Sequence, residues 1–416
     1  MSGTMRDLGV PESVVAAARR MKVTEPTPIQ SAVIPDALAG RNILGKAPTG
    51  TGKTLAFLIP MVSRLLTGHS VPGRPRGLVV VPTRELADQI GDVVADLGAV
   101  RGLRSLVFIG GEKVNKQKLM LAATVDVVVT TPGRALQLLR EKALSLDDVT
   151  VAVIDEADEM ADLGFLPDVT GILRKVPKNA QRMLFSATLD EEVEPLTRLV
   201  PDPIRHEVAA EAQTEDLMTH LELRVREDED ADAVIPWIAS REGRTVLFVS
   251  AKTRVAQVCG LLTANGVNHG YIHGDRGQTA RRDALADFSS GRCPVLVATD
   301  VAARGLDIAS LDLVVHVDPP ADAATYVHRS GRTARAGATG TVATLVRQRQ
   351  IAATERVLAQ VGVTPRIIEV NRPTSPELRT AVGAKRPVGR KSPEKKPETR
   401  QPSPSRRRGG PRKKRR

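Results

Sequence analysis

The stretch from Ala47 to Thr54, Ala-Pro-Thr-Gly-Thr-Gly-Lys-Thr, constrains this chain more than any other. A short apolar run precedes it and the longer run Leu55–Ile59 follows it, so the pattern predicts a strand, a glycine-rich loop and a helix. Such a loop binds phosphate because N–H groups at the helix N-terminus point toward anionic oxygens and the helix dipole favours negative charge. Gly50 and Gly52 permit the tight backbone path. The sequence therefore predicts a nucleoside triphosphate site.

Within this loop we expect Lys53 to reach the β- and γ-phosphates and the Thr54 hydroxyl to coordinate Mg²⁺. The stricter form of the pattern has glycine where this chain has Ala47. A glycine-rich turn without a ligand is the alternative, but a Lys-Thr pair directly after such a turn has little packing purpose. The predicted nucleotide contacts in the loop are Ala47, Thr49, Gly50, Thr51, Gly52, Lys53 and Thr54.

The positive charge of the chain is unevenly placed. The net charge is +12, yet residues 372–416 alone carry 17 Lys and Arg against three Glu, so the preceding residues sum to −2. Any contact of the body with nucleic acid must therefore use individually placed groups rather than a broad positive field. The tail is rich in proline and basic residues and is predicted to be disordered.

Cysteine usage and hydropathy exclude two other classes of protein. Cys259 and Cys293 lack metal-ligand spacing and are too few for a disulfide framework. The N-terminus has no signal-peptide pattern, and the longest apolar runs are far shorter than the ~18 residues of a membrane span. We therefore expect a soluble, cytoplasmic protein without membrane contact.

Two series of short apolar runs separated by helical patterns predict the α/β class, with parallel sheets covered by helices on both faces. The first series lies in residues 1–208 and the second in 217–371, with an acidic linker at 209–216 and the disordered tail at 372–416. The run Val246–Thr253 resembles the phosphate-loop segment without its glycines. We interpret the chain as two copies of one α/β fold, of which the first alone keeps a working phosphate loop.

A second group of functional residues, Asp155-Glu156-Ala157-Asp158, follows the apolar run Val151–Ile154. Ligands of parallel sheets bind at the carboxyl ends of strands, and closely spaced carboxylates repel one another unless a cation lies among them. Asp155 is the expected Mg²⁺ ligand, through water because Mg²⁺ keeps much of its hydration shell. Glu156 is then placed to orient or deprotonate an attacking water.

The Asp-Glu-Ala-Asp sequence after Gly-Lys-Thr resembles the DEAD-box ATP-dependent RNA helicase family, whose other motifs follow in order. They are Pro-Thr-Pro-Ile-Gln ending at Gln30, Pro-Thr-Arg-Glu-Leu-Ala at 82–87, Gly110-Gly111, Thr-Pro-Gly-Arg at 131–134, Ser-Ala-Thr at 186–188, Gln278 with Arg281, the run Ala298–Asp307 and the run His328–Gly337. The resemblance covers roughly residues 5–346. It implies two tandem RecA-like domains that hydrolyse ATP when RNA is bound.

The resemblance also implies a role for each motif. Gln30 would read the adenine edge, and Asp300 and Asp307 would contact the nucleotide. Arg332 and Arg335 would act as arginine fingers and complete a catalytic set with Lys53, Asp155 and Glu156. The residues that would contact RNA are Thr83, Arg84, Gly110, Gly111, Thr131, Pro132, Gly133, Arg134, Gln278, Arg281 and Thr299. Those that would couple hydrolysis to strand separation are Asp158, Ser186, Thr188 and His328.

The residue types of the predicted RNA loops indicate how RNA is recognised. Hydroxyl groups and exposed N–H groups suit phosphate oxygens rather than base edges. Aromatic residues are 2% of the chain, so a base-stacking platform is not expected. Contacts with the backbone and the 2′-OH groups, with little sequence preference, are the expected mode.

Three positions depart from the pattern of the family. Met5 lies where the family usually has an aromatic residue that stacks on adenine, and Lys22-Val23 replace Gly-Phe. Both changes reduce the expected adenine selectivity, although a polarisable methionine can pack on a base. Ala334 replaces a common glycine, and we expect this change to be silent.

Several functional readings stay open at this point. The chain could separate short RNA duplexes or remodel RNA–protein complexes, or it could act as an ATP-gated RNA clamp that does not unwind. A DNA helicase of the same superfamily is disfavoured by the segment ending at Gln30 and by the Thr-Pro-Gly-Arg motif. The short frame resembles bacterial members of the RhlE group, and ribosomal or RNA-decay assemblies are compatible settings. The basic tail would raise the local concentration of RNA.

Overall fold

Two parallel seven-stranded sheets form the framework of this protein, which we describe from a computed structural model covering residues 3–48, 50–189, 191–208, 217–300, 311–334 and 339–389. The strands of the first sheet are β1 (Ile43–Lys46), β2 (Gly77–Val80), β3 (Ser105–Phe108), β4 (Val127–Thr130), β5 (Val151–Ile154), β6 (Gln181–Ser186) and β7 (Ile204–Glu207). Those of the second are β8 (Met218–Val225), β9 (Thr245–Val249), β10 (His269–Ile272), β11 (Val295–Thr299), β12 (Leu313–His316), β13 (Gly340–Arg347) and β14 (Arg366–Glu369).

Helices connect the strands and cover both faces of each sheet. In the first domain they are α1 (Glu12–Arg20), α2 (Pro28–Leu38), α3 (Lys53–Arg64), α4 (Arg84–Gly98), α5 (Val114–Leu121), α6 (Pro132–Arg140), α7 (Ala157–Asp162), α8 (Leu166–Leu173) and α9 (Glu194–Thr197). In the second they are α10 (Asp228–Ala239), α11 (Lys252–Ala264), α12 (Gln278–Ser289), α13 (Ala323–Ser330), α14 (Ile351–Val361) and α15 (Pro376–Val382). Short 3₁₀ turns lie at Ala99–Arg101 and Gln348–Gln350.

The central strands are buried on both faces, as their apolar sequences predict. Each residue of β2, β4 and β5 is buried, and each domain has two apolar clusters, one on either side of its sheet. Gly45 allows β1 to pack closely against Phe185 of β6, because a Cβ atom at position 45 would lie 2.5 Å from the Phe185 ring. The predicted α/β class is confirmed. In the part of the chain that the structure describes, no helix is long and apolar enough to span a membrane.

The two sheets have the same strand order. It is β3-β4-β2-β5-β6-β1-β7 in the first domain and β10-β11-β9-β12-β13-β8-β14 in the second. The counterpart of the phosphate-loop strand β1 is therefore β8. Our interpretation of Val246–Thr253 as the second copy of the phosphate-loop segment was wrong, because β9 occupies the position of β2. Local similarity to an apolar strand followed by Lys-Thr does not determine the place of a strand in a sheet.

In the second domain, the segment that corresponds to the phosphate loop of the first is the acidic start of a helix. Strand β8 leads through Arg226 and Glu227 directly into α10, whose first residue is Asp228. Arg347 Nε donates to Asp228 Oδ1 at 2.7 Å, and Arg349 Nη2 donates to both carboxylate oxygens at 2.9 Å. A carboxylate at a helix N-terminus takes the place of a bound anion. The second domain therefore lacks a phosphate loop, as expected. The residues at the corresponding position are Arg226, Glu227 and Asp228 and not Val246–Thr253.

The second domain extends beyond the boundary that we expected at residue 371. Helix α15 follows, and Leu378, Val382 and Ala384 are buried in the same apolar cluster as β8 and α10. Lys385 N donates to Trp237 O at 3.0 Å. The expectation of a disordered tail from residue 372 was therefore wrong for 372–389, because two buried residues of this short helix and Ala384 beyond it are dispersed in a basic, proline-rich sequence. Residues 390–416 lie outside the described part of the chain.

We predict that Leu378→Ala lowers the free energy of unfolding of the second domain by about 2–4 kcal/mol, because it removes a fully buried side chain. Urea unfolding monitored by the fluorescence of Trp237, the single tryptophan of the chain, measures this. Arg379→Ala changes an exposed neighbour in the same helix and is the control. Equal unfolding midpoints for the two variants would contradict the docking of α15.

Candidate active site

The phosphate loop joins β1 to α3 and is tied to Gln30. Gly52 is the N-cap residue of α3 at φ 92°, a conformation that favours glycine. Gln30 Nε2 donates to Gly52 O at 3.0 Å, and Gln30 Oε1 accepts from Thr27 N at 3.1 Å. A Cβ on Gly52 would lie 2.5 Å from Gln30 Nε2. The glutamine predicted to read adenine therefore also holds the loop in place.

Lys53 is positioned for an anion that the protein itself does not supply. Its side chain is buried, and among the described residues Nζ has no hydrogen-bond partner. Because an unpaired buried ammonium is costly, the site fits a ligand with negatively charged oxygens. Ala47 is buried, and its N–H donates to Ser186 O at 3.1 Å. Thr49, also predicted as a nucleotide contact, lies outside the described residues.

Asp155 and Glu156 lie at the carboxyl end of β5, as predicted, and both are buried. Burial raises the pKa of Asp155 to about 7, although the Lys53 charge opposes the shift. A carboxyl group in this environment requires a cation to stay ionised, which fits the predicted Mg²⁺ ligand together with Thr54. In the described ranges, no group of three or more His, Cys, Asp or Glu residues is placed to hold a metal ion.

Glu156 is held in a conformation that non-glycine residues rarely adopt, at φ 53°. Burial acts to raise the pKa of its carboxyl group, but a hydrogen bond with Glu159 and the charges of Arg332 and Lys53 outweigh it, so the pKa is lowered. Its Oε2 atom is buried and makes no hydrogen bond to a described residue. An ionised carboxylate with a free oxygen is what a water-orienting group requires.

Asp158 is bonded to the Ser-Ala-Thr segment after β6. Its Oδ2 accepts from Ala187 N at 3.0 Å and Thr188 N at 3.2 Å, while its own N–H donates to Ser186 Oγ at 3.1 Å. The predicted hydrogen bonding between the two motifs is therefore present. Their role in coupling stays a prediction.

The second domain brings Arg332 and His328 to Glu156. Both act electrostatically on the Glu156 carboxyl group across the cleft, and Arg332 is buried. Arg332 Nε donates to His328 O at 3.2 Å. The other predicted arginine finger, Arg335, and the predicted nucleotide contact Asp307 lie outside the described residues.

Asp300 forms a bidentate ion pair with Arg329, a residue that sequence reasoning did not select. Arg329 Nε and Nη2 donate to the two carboxylate oxygens at 2.5 and 2.8 Å, and Nη1 donates to Asp318 O at 2.7 Å. Its position between His328 and Arg332 is the sequence feature from which Arg329 could have been identified. In this structure Asp300 positions the segment that carries Arg332, and its predicted nucleotide contact remains a prediction.

The predicted RNA contacts of the first domain lie at the ends of neighbouring strands. Arg84 lies beside Gly110 and Gly111, since a Cβ on Gly111 would be 2.5 Å from Arg84 Nη1. Arg134 is buried and donates to Gln117 Oε1 and to Glu112 O. The guanidinium group of Arg134 thus supports the Gly110-Gly111 loop from beneath. The remaining predicted contacts there are Thr83 at the N-cap of α4 and Thr131, Pro132 and Gly133 at the start of α6.

Gln278 and Arg281, predicted to contact RNA, also lie against the first domain. Arg281 Nη2 is 2.7 Å from Glu85 Oε2, and Gln278 Nε2 donates to Asp88 Oδ2 at 2.8 Å. Gln278 Oε1 and Arg281 Nε are buried and make no hydrogen bond within the described ranges. Both atoms are enclosed by protein in this arrangement, and RNA contact by Gln278 and Arg281 stays a prediction. Thr299 ends β11 and is half-buried.

The departures at Met5 and Lys22 have structural consequences. Met5 is almost fully buried in the apolar cluster of the first domain, together with α1 and α2. Lys22, at the usual glycine position, has φ 65°. At this position the chain therefore has a methionine packed in the apolar core rather than an exposed aromatic ring.

The fold and the site together define a two-domain nucleoside triphosphatase whose catalytic groups meet across a cleft. A family model of the DEAD/DEAH box helicase matches residues 27–196, and one of the helicase conserved C-terminal domain matches residues 229–337. The ATP-dependent rRNA helicase RRP3 of Yarrowia lipolytica is 39% identical over 362 residues, which are 86% of this chain and 75% of that protein. The chain belongs to the DEAD-box ATP-dependent RNA helicase family.

Two further comparisons agree with this assignment. The DEAD-box ATP-dependent RNA helicase CshA of Bacillus cereus is 38% identical over 349 residues, which are 83% of this chain and 66% of that protein. The structure of S. cerevisiae Dbp5 bound to RNA and ADP BeF3 has a TM-score of 0.79 and 29% identity, and the match covers 88% of this chain and 96% of that one. The expected tandem RecA-like domains are confirmed.

Ala334 has φ 54° and is buried, so the expectation that its replacement of glycine is silent conflicts with the backbone geometry. We predict that Ala334→Gly raises the free energy of unfolding of the second domain by about 0.5–1 kcal/mol, because glycine adopts this conformation without strain. Urea unfolding followed by Trp237 fluorescence measures the change. Ala286→Gly in α12, where glycine costs about 1 kcal/mol, is the control of opposite sign. Destabilisation by Ala334→Gly would refute the assigned strain.

Proposed function

We propose that this chain hydrolyses ATP in response to RNA and uses the reaction to separate short RNA duplexes or to remodel RNA–protein complexes. The observation that carries the proposal is the meeting of Glu156 from the first domain with Arg332 from the second. A water-orienting carboxylate and an arginine finger on different domains form a complete site only when the cleft is closed. Hydrolysis can then be controlled by whatever favours closure.

Each residue of the cleft has a role in this reaction. The N–H groups at the start of α3 and the Lys53 ammonium bind the phosphates of ATP, while Gln30 holds the loop and faces the base. Glu156 orients the water that attacks the γ-phosphorus and accepts its proton, and ADP departs. Arg332 neutralises charge that develops on the transferred phosphoryl group. Asp155 and Thr54 would hold Mg²⁺, which supplies charge stabilisation for the phosphates.

RNA is proposed to favour closure because its predicted contacts lie on both domains. Arg84, Gly110 and Gly111 belong to the first domain, and Gln278 and Arg281 to the second. A strand that bridges the two sets stabilises the same closed arrangement that brings Arg332 to Glu156. Binding of RNA and ATP is then cooperative by thermodynamic linkage.

The cellular setting is a further proposal. The name of one relative, an rRNA helicase of a yeast, supports work on ribosomal RNA. We propose RNA decay as an alternative setting and the cytoplasm as the location. We also propose that this chain is related to the bacterial RhlE group, because its frame is short. Affinity purification of the tagged chain with and without RNase treatment tests the proposed assemblies; the absence of ribosomal and RNA-decay proteins would reject them.

We predict that RNA raises the rate of ATP hydrolysis of the wild type and that Glu156→Gln lowers kcat at saturating RNA by about 10²-fold or more, because it removes the general base. Steady-state phosphate release with and without a structured RNA measures both effects. Asp162→Asn, at an exposed position at the end of the same helix, is the control for loss of a neighbouring carboxylate.

Two outcomes would change the proposal. Hydrolysis in the wild type that does not respond to RNA would mean that the domains do not close on RNA. RNA-stimulated hydrolysis without displacement of a short duplex strand would favour the RNA clamp over the helicase.

We predict that removal of residues 390–416, which carry 13 Lys and Arg and two Glu, raises the RNA concentration for half-maximal ATPase about tenfold at low salt. The dependence of RNA affinity on salt should become shallower, because fewer counterions are released. kcat at saturating RNA should be unchanged. A tail of equal length with Gln in place of Lys and Arg is the control, and a large fall in saturated turnover would refute this role.

A further inference from the structure

A rim of charged residues surrounds the buried Arg281–Glu85 pair between the domains. Arg282 of α12 donates through Nε to Asp88 Oδ2 at 2.7 Å and through Nη2 to Asp88 Oδ1 at 2.5 Å. Its Nη2 also lies 3.4 Å from Glu112 Oε1. Asp88 belongs to α4 and Glu112 to the loop before α5, so one arginine of the second domain joins two elements of the first.

The buried pair and the rim pair have different electrostatic balances. For Arg281 and Glu85, burial is the largest influence and shifts the pKa of each group toward its neutral form. Desolvation thus offsets much of the attraction in the buried pair. Arg282 is 47% exposed, and the hydrogen bonds to Asp88 outweigh desolvation and raise its pKa. The rim pair gains attraction at a smaller desolvation cost.

The rim also orders a residue of the buried site. Asp88 Oδ2 accepts from Gln278 Nε2 at 2.8 Å as well as from Arg282. Asp92, one turn further along α4, adds negative charge on the same face, and it acts electrostatically on Arg282. An arginine with a bidentate geometry is therefore surrounded by three carboxylates of the other domain.

We propose that Arg282 is a positioning residue that favours closure of the cleft through Asp88 and Glu112 and thereby sets the apparent affinity for RNA. The inference rests on the proposed function, because closure matters for activity only if RNA-stimulated hydrolysis occurs in the closed state. Arg282 holds Asp88, Asp88 holds Gln278, and the second domain is held in the register in which Arg332 faces Glu156. The contact acts on the open–closed equilibrium and not on the chemical step.

The test compares charge reversal with charge exchange. Arg282→Glu should raise the RNA concentration for half-maximal ATPase about fivefold to tenfold and leave kcat at saturating RNA within about twofold, since close charge pairs couple at this scale. Asp88→Arg should act in the same direction. The double variant Asp88→Arg/Arg282→Asp should recover part of the RNA affinity, because it restores the ion pair between the two positions but not the acceptor for Gln278. Arg292→Glu, an exposed arginine paired with Asp287 inside the second domain, is the matched control for charge.

Salt and a direct measure of closure complete the test. The effect of Arg282→Glu should shrink at high salt, because exposed charges are screened. Closure is measured by energy transfer between dyes on Leu119→Cys and Ile367→Cys, both exposed, with Cys259 and Cys293 replaced by alanine. We expect Arg282→Glu to need more RNA to reach the closed signal.

The outcomes separate this inference from the proposed function. If the wild type is stimulated by RNA and Arg282→Glu matches Arg292→Glu in RNA dependence, the positioning role is refuted while the function stands. If charge exchange gives the sum of the two single effects without recovery, the contact between Asp88 and Arg282 is refuted. If the wild type itself shows no RNA stimulation, the proposed function fails first.

Discussion

The burial of Asp155 at the carboxyl end of β5 is the constraint on which the active site depends. A parallel strand buried on both faces delivers the next side chain into a crevice where an ionised carboxylate is costly. Lys53 comes from the neighbouring loop, yet the pKa of Asp155 remains raised, so one ammonium does not offset the burial. Gln30, Gly52 and Ser186 fix the loops around this crevice through hydrogen bonds. A ligand that carries both phosphate oxygens and a cation, as proposed for ATP with Mg²⁺, would balance the charges of this site.

The same topology occurs twice, and the difference between the copies explains why the site is shared. In the second domain the helix that follows β8 begins with Asp228, and two arginines neutralise it. A carboxylate with two arginine partners thus lies at the helix start that corresponds to the predicted phosphate-binding helix start of the first domain. The second domain contributes different groups to the cleft, namely Arg332 beyond α13 and Gln278 at the start of α12.

Much of this arrangement was predictable from the sequence, and the failures have physical causes. The apolar runs predicted the strands, and the motifs predicted that Asp155, Glu156 and Lys53 would meet at one edge. The sheet position of Val246–Thr253 was not predictable from a local pattern, because strand order depends on long-range packing. Helix α15 was missed because its two buried residues, Leu378 and Val382, are separated by polar and charged neighbours. The ion pair of Arg282 with Asp88 joins residues 194 positions apart, and neither residue belongs to a motif.

Buried polar atoms that lack partners explain why closure should require both ligands. In the described residues, Lys53 Nζ and Glu156 Oε2 are unpaired on the nucleotide side, and Gln278 Oε1 and Arg281 Nε on the RNA side. Each such atom costs about 1–3 kcal/mol when it is buried without a hydrogen bond. On the proposed function, a closed cleft without ligands would bear this cost on both sides, and either ligand would remove only its own share. The attraction between Arg282 and Asp88 is smaller than the combined cost, since exposed ion pairs contribute about 1 kcal/mol or less. It can therefore bias closure without making closure independent of ATP and RNA.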